Sequence, residues 1–176
     1  MKQKTVIMDE NAMKRAVTRI AYEILEQNKG AESLCIVGVL SRGVYLAKRI
    51  AEKIYELEGT GAEFGELDIT PHRDDIKKAS TLDRTQIDFD INDKVVVLVD
   101  DVIYTGRSIR AAIDALIARG RPKRIQLAVL IDRGHREVPI RPDYVGKNLP
   151  TSHEEKVKVM VKEMDSCDSV SIFIPD

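Results

Sequence analysis

Residues Val95 to Ser108 read VVVLVDDVIYTGRS, and this run constrains the fold more than any other part of the chain. The unbroken apolar stretch Val95 to Val99 has no polar residue at alternate positions, so it describes a strand buried on both faces. Such strands belong to parallel sheets covered by helices. Two carboxylates, Asp100 and Asp101, follow at its carboxyl end. A short turn, Tyr104-Thr105-Gly106-Arg107-Ser108, then opens an apolar helix over Ile109 to Ala118. A strand, a glycine-bearing turn rich in hydroxyls and a helix start together make a phosphate cradle. Backbone N–H groups and the positive end of the helix dipole face the anion, and Thr105 and Ser108 add donors. Acids beside such a cradle are unusual, because carboxylates repel phosphate. They fit a ligand that also carries sugar hydroxyls, from which the acids accept; a phosphorylated ribose is such a ligand. An ordinary βα unit, with Asp-Asp merely ending a strand, would leave the composite pattern unexplained.

The remainder alternates strands and helices. Asp9 and Asn11 can cap a helix to about Gln27, with Met13, Ala16, Val17, Ile20, Ile24 and Leu25 at three- and four-residue intervals. Leu34 to Leu40 reads as a buried strand, Ser41-Arg42-Gly43 as a turn, and a helix follows to about Leu57, ended by Gly59 and Gly61. Phe64 to Thr70 is a strand with partial alternation, whereas residues 71 to 92 are polar and without period, as in a mobile excursion. After the signature helix, stopped by Gly120 and Pro122, Ile125 to Ile131 forms another apolar strand. The proline-bearing stretch from Asp132 to Pro150 is expected to be irregular. Val157, Val159 and Val161 alternate as a strand, and Val170 to Ile174 is the last. Repeated βα units imply a parallel sheet with helices on both faces. No linker, repeat or low-complexity run divides the chain, so a single domain over 1–176 is expected.

A net charge of −1 over 176 residues gives no global pull toward nucleic acid or membrane, so any polyanion contact must come from a local patch. Cys35, in an apolar strand, and Cys167, near the end, have neither metal-site spacing nor a secreted framework, and reduced thiols in a cytoplasmic protein are expected. No segment approaches the roughly 20 apolar residues that span a bilayer, and the N-terminus lacks a hydrophobic signal core.

Ligands of such sheets gather at the carboxyl ends of the strands. Besides the signature turn, three elements fall there. Ser41-Arg42-Gly43 offers a guanidinium, a hydroxyl and an unhindered backbone, which suits a second phosphate or a pyrophosphate. His72-Arg73-Asp74-Asp75 follows the strand Phe64 to Thr70. Asp132-Arg133-Gly134-His135-Arg136 follows Ile125 to Ile131, where a lid over the far end of a ligand belongs.

The signature itself resembles the phosphoribosyl-pyrophosphate (PRPP) motif of the type I phosphoribosyltransferases. IVGVLSRGVYLAKRIAE, ELDITPHRDD, VVVLVDDVIYTGRSIRAA and QLAVLIDRGHREVPIRPDYVGKNLPTS each resemble, in order, the blocks of the PyrR family, pyrimidine-operon attenuation proteins that are also uracil phosphoribosyltransferases. The resemblance spans nearly the whole chain. It implies an α/β type I phosphoribosyltransferase fold: a central, mostly parallel sheet, flanking helices, a flexible loop and a small hood formed mainly by 132–155. It implies the reaction of uracil with PRPP to give UMP and pyrophosphate, with Mg²⁺ held by PRPP oxygens and no direct protein ligand, water-bridged at most to Asp100 and Asp101. Asp100 and Asp101 would meet the ribose hydroxyls and favour the developing cation. Thr105, Gly106, Arg107 and Ser108 would hold the 5′-phosphate, with Val102, Ile103 and Tyr104 lining the same PRPP and UMP site. Ser41, Arg42 and Gly43 would grip pyrophosphate, Arg73 would close over it and exclude water, and Asp132 and Arg133 would meet the uracil. Neither cysteine is assigned a catalytic role.

Arg15, Thr18, Arg19 and Tyr22 share one face of the first helix, away from its apolar stripe. Alone, that face reads as a solvated surface. The resemblance places contacts to pyrimidine-operon leader mRNA on Thr18, Arg19, Arg136, Arg141 and Lys147, with Tyr22 able to stack a base. A homodimer or higher homo-oligomer would set two such patches in one basic groove. Two readings remain open: a bifunctional enzyme and RNA-binding regulator with UMP as co-regulator, or a nucleotide-sensing RNA-binding regulator with little or no catalysis. A purine-base transferase ranks third.

Overall fold

The computed structural model describes residues 1–75 and 82–176. Its centre is a five-stranded, wholly parallel sheet in the order β3-β2-β4-β5-β6, built from Leu34–Val39 (β2), Glu63–Leu67 (β3), Val95–Ile103 (β4), Arg124–Asp132 (β5) and Tyr144–Asn148 (β6). Helices α1 (Glu10–Asn28), α2 (Arg42–Glu58) and α3 (Arg107–Ile117) cover it. A smaller antiparallel sheet, β1-β8-β7, joins Lys2–Met8 (β1), Ser169–Ile174 (β8) and Lys156–Met160 (β7), with the short helix α4 (Lys162–Asp165) between the last two in sequence.

The two faces of β4 show how the sequence produces the layers. Successive side chains point to opposite sides. Val97 and Val99 pack with Ile20, Ile24, Leu46, Ile50 and Ile54 of α1 and α2. Val96 and Leu98 pack on the other side with Ile109, Ala112 and Leu116 of α3. With both faces dry, each fully buried Leu or Ile contributes roughly 1.5–3 kcal/mol. Asp9 caps α1 by accepting from the Ala12 N–H at 2.8 Å. The smaller sheet shares the first of these cores, since Met8, Val159, Val161 and Val170 belong to it.

Three features depart from the sequence reading. First, β1 was not expected: KQKTVIM is exposed for most of its length and its pairing to β8 is interrupted by two irregularities, so it carries no clean alternation. Second, the stretch 132–150 is not wholly irregular, because Tyr144–Asn148 pairs with β5. That strand is short and polar at its end, but Tyr144 is buried and donates to Gln126 Oε1 at 2.8 Å. Gly146 lies so near Leu130 that a Cβ would come within 2.4 Å of its carbonyl oxygen. The smaller sheet is built from both ends of the chain. Third, the expected strand to Thr70 ends at Leu67, followed by one 3₁₀ turn over Thr70–His72. Residues 76–81 of the expected excursion lie outside the described residues.

Candidate active site

β4 runs two residues past its acid pair, so Asp100 and Asp101 lie within the strand and the turn begins after Ile103. Asp101 N–H donates to Asp100 Oδ1, and Val102 N–H to Asp101 Oδ1, each at 2.8 Å. Each carboxylate is thus oriented through one oxygen, and the other remains outside these bonds. Withdrawal from water, and then the like charge of Asp101, hold the Asp100 carboxyl well above the usual carboxylate range. The turn closes at Gly106, whose φ of +88° favours glycine, and a Cβ there would also meet Val138 at 2.8 Å. Gly106 caps α3 without a side-chain bond, so the first-turn N–H groups are the kind of donors an anion takes. Thr105 Oγ1 accepts from Arg107 N–H at 3.3 Å.

The Ser41-Arg42-Gly43 turn meets this acid pair directly. The Leu40–Ser41 peptide is cis. A Cβ on Gly43 would lie 2.5 Å from the Val99 carbonyl oxygen and 3.3 Å from Asp100 Oδ1. Glycine at 38 lets α2 begin so close, since a Cβ there would be 2.5 Å from Val44 Cα. Arg42 forms a side-on pair with Asp165 of α4, Nε to Oδ2 at 3.2 Å and Nη2 to Oδ1 at 2.9 Å.

The other two expected elements arrive at the same sheet edge. Arg73 pairs with Asp75 at 2.5 Å, while Asp74 reaches Arg107 at 3.3 Å and so ties this segment to the signature turn. Asp68, 3% exposed, accepts from Thr70 N–H at 3.0 Å and from Arg84 N–H at 3.2 Å, anchoring both ends of the excursion. On the far side Glu137 N–H donates to Thr105 O at 2.9 Å. Asp132, Arg133, Gly134, His135, Asn148, Pro150 and Thr151 line a cleft of about 390 Å³.

Arg133 does not project freely into that cleft. It is 8% exposed, its guanidinium lies 4.0 Å over the Tyr104 ring, and it donates to Thr151 Oγ1 at 3.0 Å and Glu155 O at 2.7 Å. Arg136 is similarly occupied, by Ile140 O, Tyr104 O and Asp132 Oδ2. His135, part of the expected lid segment, and His153, which the sequence did not single out, gather round Tyr104: ring centroids lie 5.5 Å apart for Tyr104–His135 and 4.1 Å for His135–His153. Asp165 and His153 had no local signal, because Arg42 and Tyr104 are distant in sequence, and Asp68 combines a local bond to Thr70 N–H with a distant one to Arg84. Burial pushes the Cys35 thiol up to about 11, which removes it as a nucleophile.

Of the expected RNA-contacting residues, Arg19 and Lys147 line one groove together with Arg15, and Arg19 donates to the Gly146 carbonyl at 2.5 Å. Thr18 lines a different groove, with Lys14, Arg49 and several acids. Tyr22 and Arg141 are exposed. Arg136 bonds to Tyr104 O of the signature turn and to Asp132 Oδ2 and is not among the residues lining this groove.

A phosphoribosyl transferase domain model matches residues 4–163. A Bifunctional protein PyrR of Clostridioides difficile is 56% identical over 175 residues, covering 98% of this chain and 99% of that protein. The Bifunctional protein PyrR of Bacillus subtilis is 54% identical, covering 98% of each. A Pyrimidine operon regulatory protein of Lactococcus lactis is 59% identical, covering 94% of this chain and 95% of that one. Among solved structures, a hypoxanthine phosphoribosyltransferase of Trypanosoma cruzi superposes with a TM-score of 0.74 at 16% identity, covering 99% of this chain and 98% of that one, which shows the shared type I phosphoribosyltransferase fold. With a domain match over most of its length and relatives this similar, the chain belongs to the PyrR family of phosphoribosyltransferases.

Proposed function

We propose that this protein converts uracil and PRPP to UMP and pyrophosphate, and that it binds pyrimidine-operon leader mRNA with UMP as co-regulator. One observation carries the enzymatic reading: the approach of Gly43 to Asp100 sets an anion-binding turn on each side of one acid pair. A ribose with phosphate at one end and pyrophosphate at the other fits between them, its hydroxyls on Asp100 and Asp101. The N–H groups of 105–108 hold the 5′-phosphate, and Ser41, Arg42 and Gly43 take the pyrophosphate. The base enters the cleft beside Asp132, whose walls Arg133 braces. The acids' field stabilises positive charge developing at the anomeric carbon, and Arg73 excludes water once ligand is bound.

Among the described residues no three His, Cys, Asp or Glu side chains gather as a metal site. The adjacent acids suit a magnesium ion carried by PRPP and reached through water, where it neutralises charge on the leaving pyrophosphate. The RNA surface centres on Arg15, Arg19, Lys147 and the exposed Arg141, and a homodimer doubles it. No helix among the described residues is long and apolar enough to cross a membrane; a cytoplasmic site of action fits the operon role.

The test supplies PRPP and Mg²⁺ with uracil, hypoxanthine or guanine in parallel. Formation of UMP alone supports the reading. A nucleotide product from a purine instead overturns the base assignment, and no product with retained UMP-dependent RNA binding leaves a regulator without catalysis.

A further inference from the structure

Asp165 lies outside every motif in the sequence, yet it holds the arginine of the pyrophosphate turn. Its carboxylate takes Nε and Nη2 of Arg42 side-on, and Val161 N–H donates to its Oδ2 at 2.9 Å, so the acceptor is fixed on its own backbone. Both side chains are partly withdrawn from solvent, 29% and 18% exposed. One turn pair further along α2, Arg49 grips Glu163 at 2.6 Å and Asp168 at 2.8 Å. The segment 162–168 is therefore clamped to α2 at two points and cannot drift relative to Arg42. The fork consumes one edge of the guanidinium; Nη1 has no acceptor among the described residues. Asp101 adds its charge to that of Asp165 in raising the Arg42 pKa, so Arg42 feels both the clamp and the acid pair of the site.

Resting on the reading of Ser41–Gly43 as the pyrophosphate turn, we propose that Asp165 is a positioning residue that holds Arg42 with its open edge ready for pyrophosphate. Two effects of removing it oppose each other, and their sign decides the matter. Losing a negative charge near an anion site strengthens anion binding through space. Losing the fork returns a long side chain to many rotamers, and that freedom must be lost again on binding. Positioning predicts that the second effect wins.

The experiment uses the full chain with Asp165→Asn, which keeps an oxygen for Val161 N–H. Inhibition by inorganic pyrophosphate weakens about three- to tenfold and KM for PRPP rises similarly, with kcat nearly unchanged and Asp165→Glu recovering part of the loss. UMP affinity, which needs no pyrophosphate contact, stays at the wild-type value. Unchanged or tighter pyrophosphate binding overturns the proposal, and so does an equal loss of UMP affinity, which marks a general packing defect. Arg42→Ala separates the two levels. If it leaves pyrophosphate inhibition intact, the assignment of the turn fails; if it weakens inhibition while Asp165→Asn does not, only the positioning role fails.

Discussion

Gly43 packs against Asp100 so closely that a side chain of any size at position 43 would collide with the β4 backbone, 2.5 Å from Val99 O and 3.1 Å from Asp100 Cα. The contact joins the start of α2 to the acid pair and fixes the spacing between the two anion-binding turns. A substitution there must push a whole helix away from a central strand. Gly43→Ala is accordingly expected to cost about 1–3 kcal/mol of stability and to lower kcat/KM for PRPP by more than about tenfold, since misplacement by an ångström is that expensive. Thermal melting and steady-state kinetics on one preparation check both. A variant with normal PRPP kinetics would show that the spacing is immaterial.

Asp100 has its carboxyl raised by burial and by Asp101. An acid raised in the folded state binds its proton more tightly there than in the unfolded chain. Its contribution to stability is full below the unfolded carboxylate range, near pH 4, and is lost as pH rises through the folded value. Asp100→Asn is neutral at every pH and escapes that loss. It should melt with wild type near pH 4 and at a higher temperature than wild type at pH 8, while turnover falls at least about 100-fold. Identical melting curves across this range would contradict the burial argument.

Arg133 illustrates what could and could not be read in advance. Its place at the end of β5 was legible from the apolar run Ile125 to Ile131, and a base-facing role followed from the resemblance. Its partners, Thr151, Ser152 and Glu155, lie 18 to 22 residues away, and no pattern of residue types announces such bonds. Arg133→Lys cannot reproduce the fork or the stack on Tyr104. The expected result is a loss of about 2–3 kcal/mol and a raised KM for uracil, with preference for uracil over hypoxanthine intact. A changed base preference with unaltered melting would mean that Arg133 reads the base itself.

The same contrast holds across the molecule. β2, β4, β5 and the three long helices follow from apolar runs, periodicity and caps that are local properties of the chain. β1 and β6 are polar or short, and exist because a neighbouring strand, β8 or β5, offers a ladder. The signature turn was legible because a strand, two acids and a helix start fall in one continuous segment. The tertiary placement of the basic residues was not legible: Arg19 and Lys147 line one groove because β6 brings them together, and Arg136 bonds to Asp132 and Tyr104, contacts that no local pattern announces.

That division yields a paired prediction for RNA. Lys147→Ala should weaken leader-RNA binding and reduce its salt slope by about one, with UMP synthesis unchanged. Arg73→Ala should do the reverse, lowering turnover while RNA affinity holds. Filter binding at several salt concentrations, beside the transferase assay, measures both. A salt slope unaltered by Lys147→Ala would remove that residue from the RNA surface.

A crystal structure of the protein with UMP and Mg²⁺ bears most directly on the whole account. The 5′-phosphate is expected on the N–H groups of Thr105 to Ser108 and the ribose hydroxyls on Asp100 and Asp101. Nucleotide bound elsewhere, with this acid pair and turn facing only solvent, would contradict it.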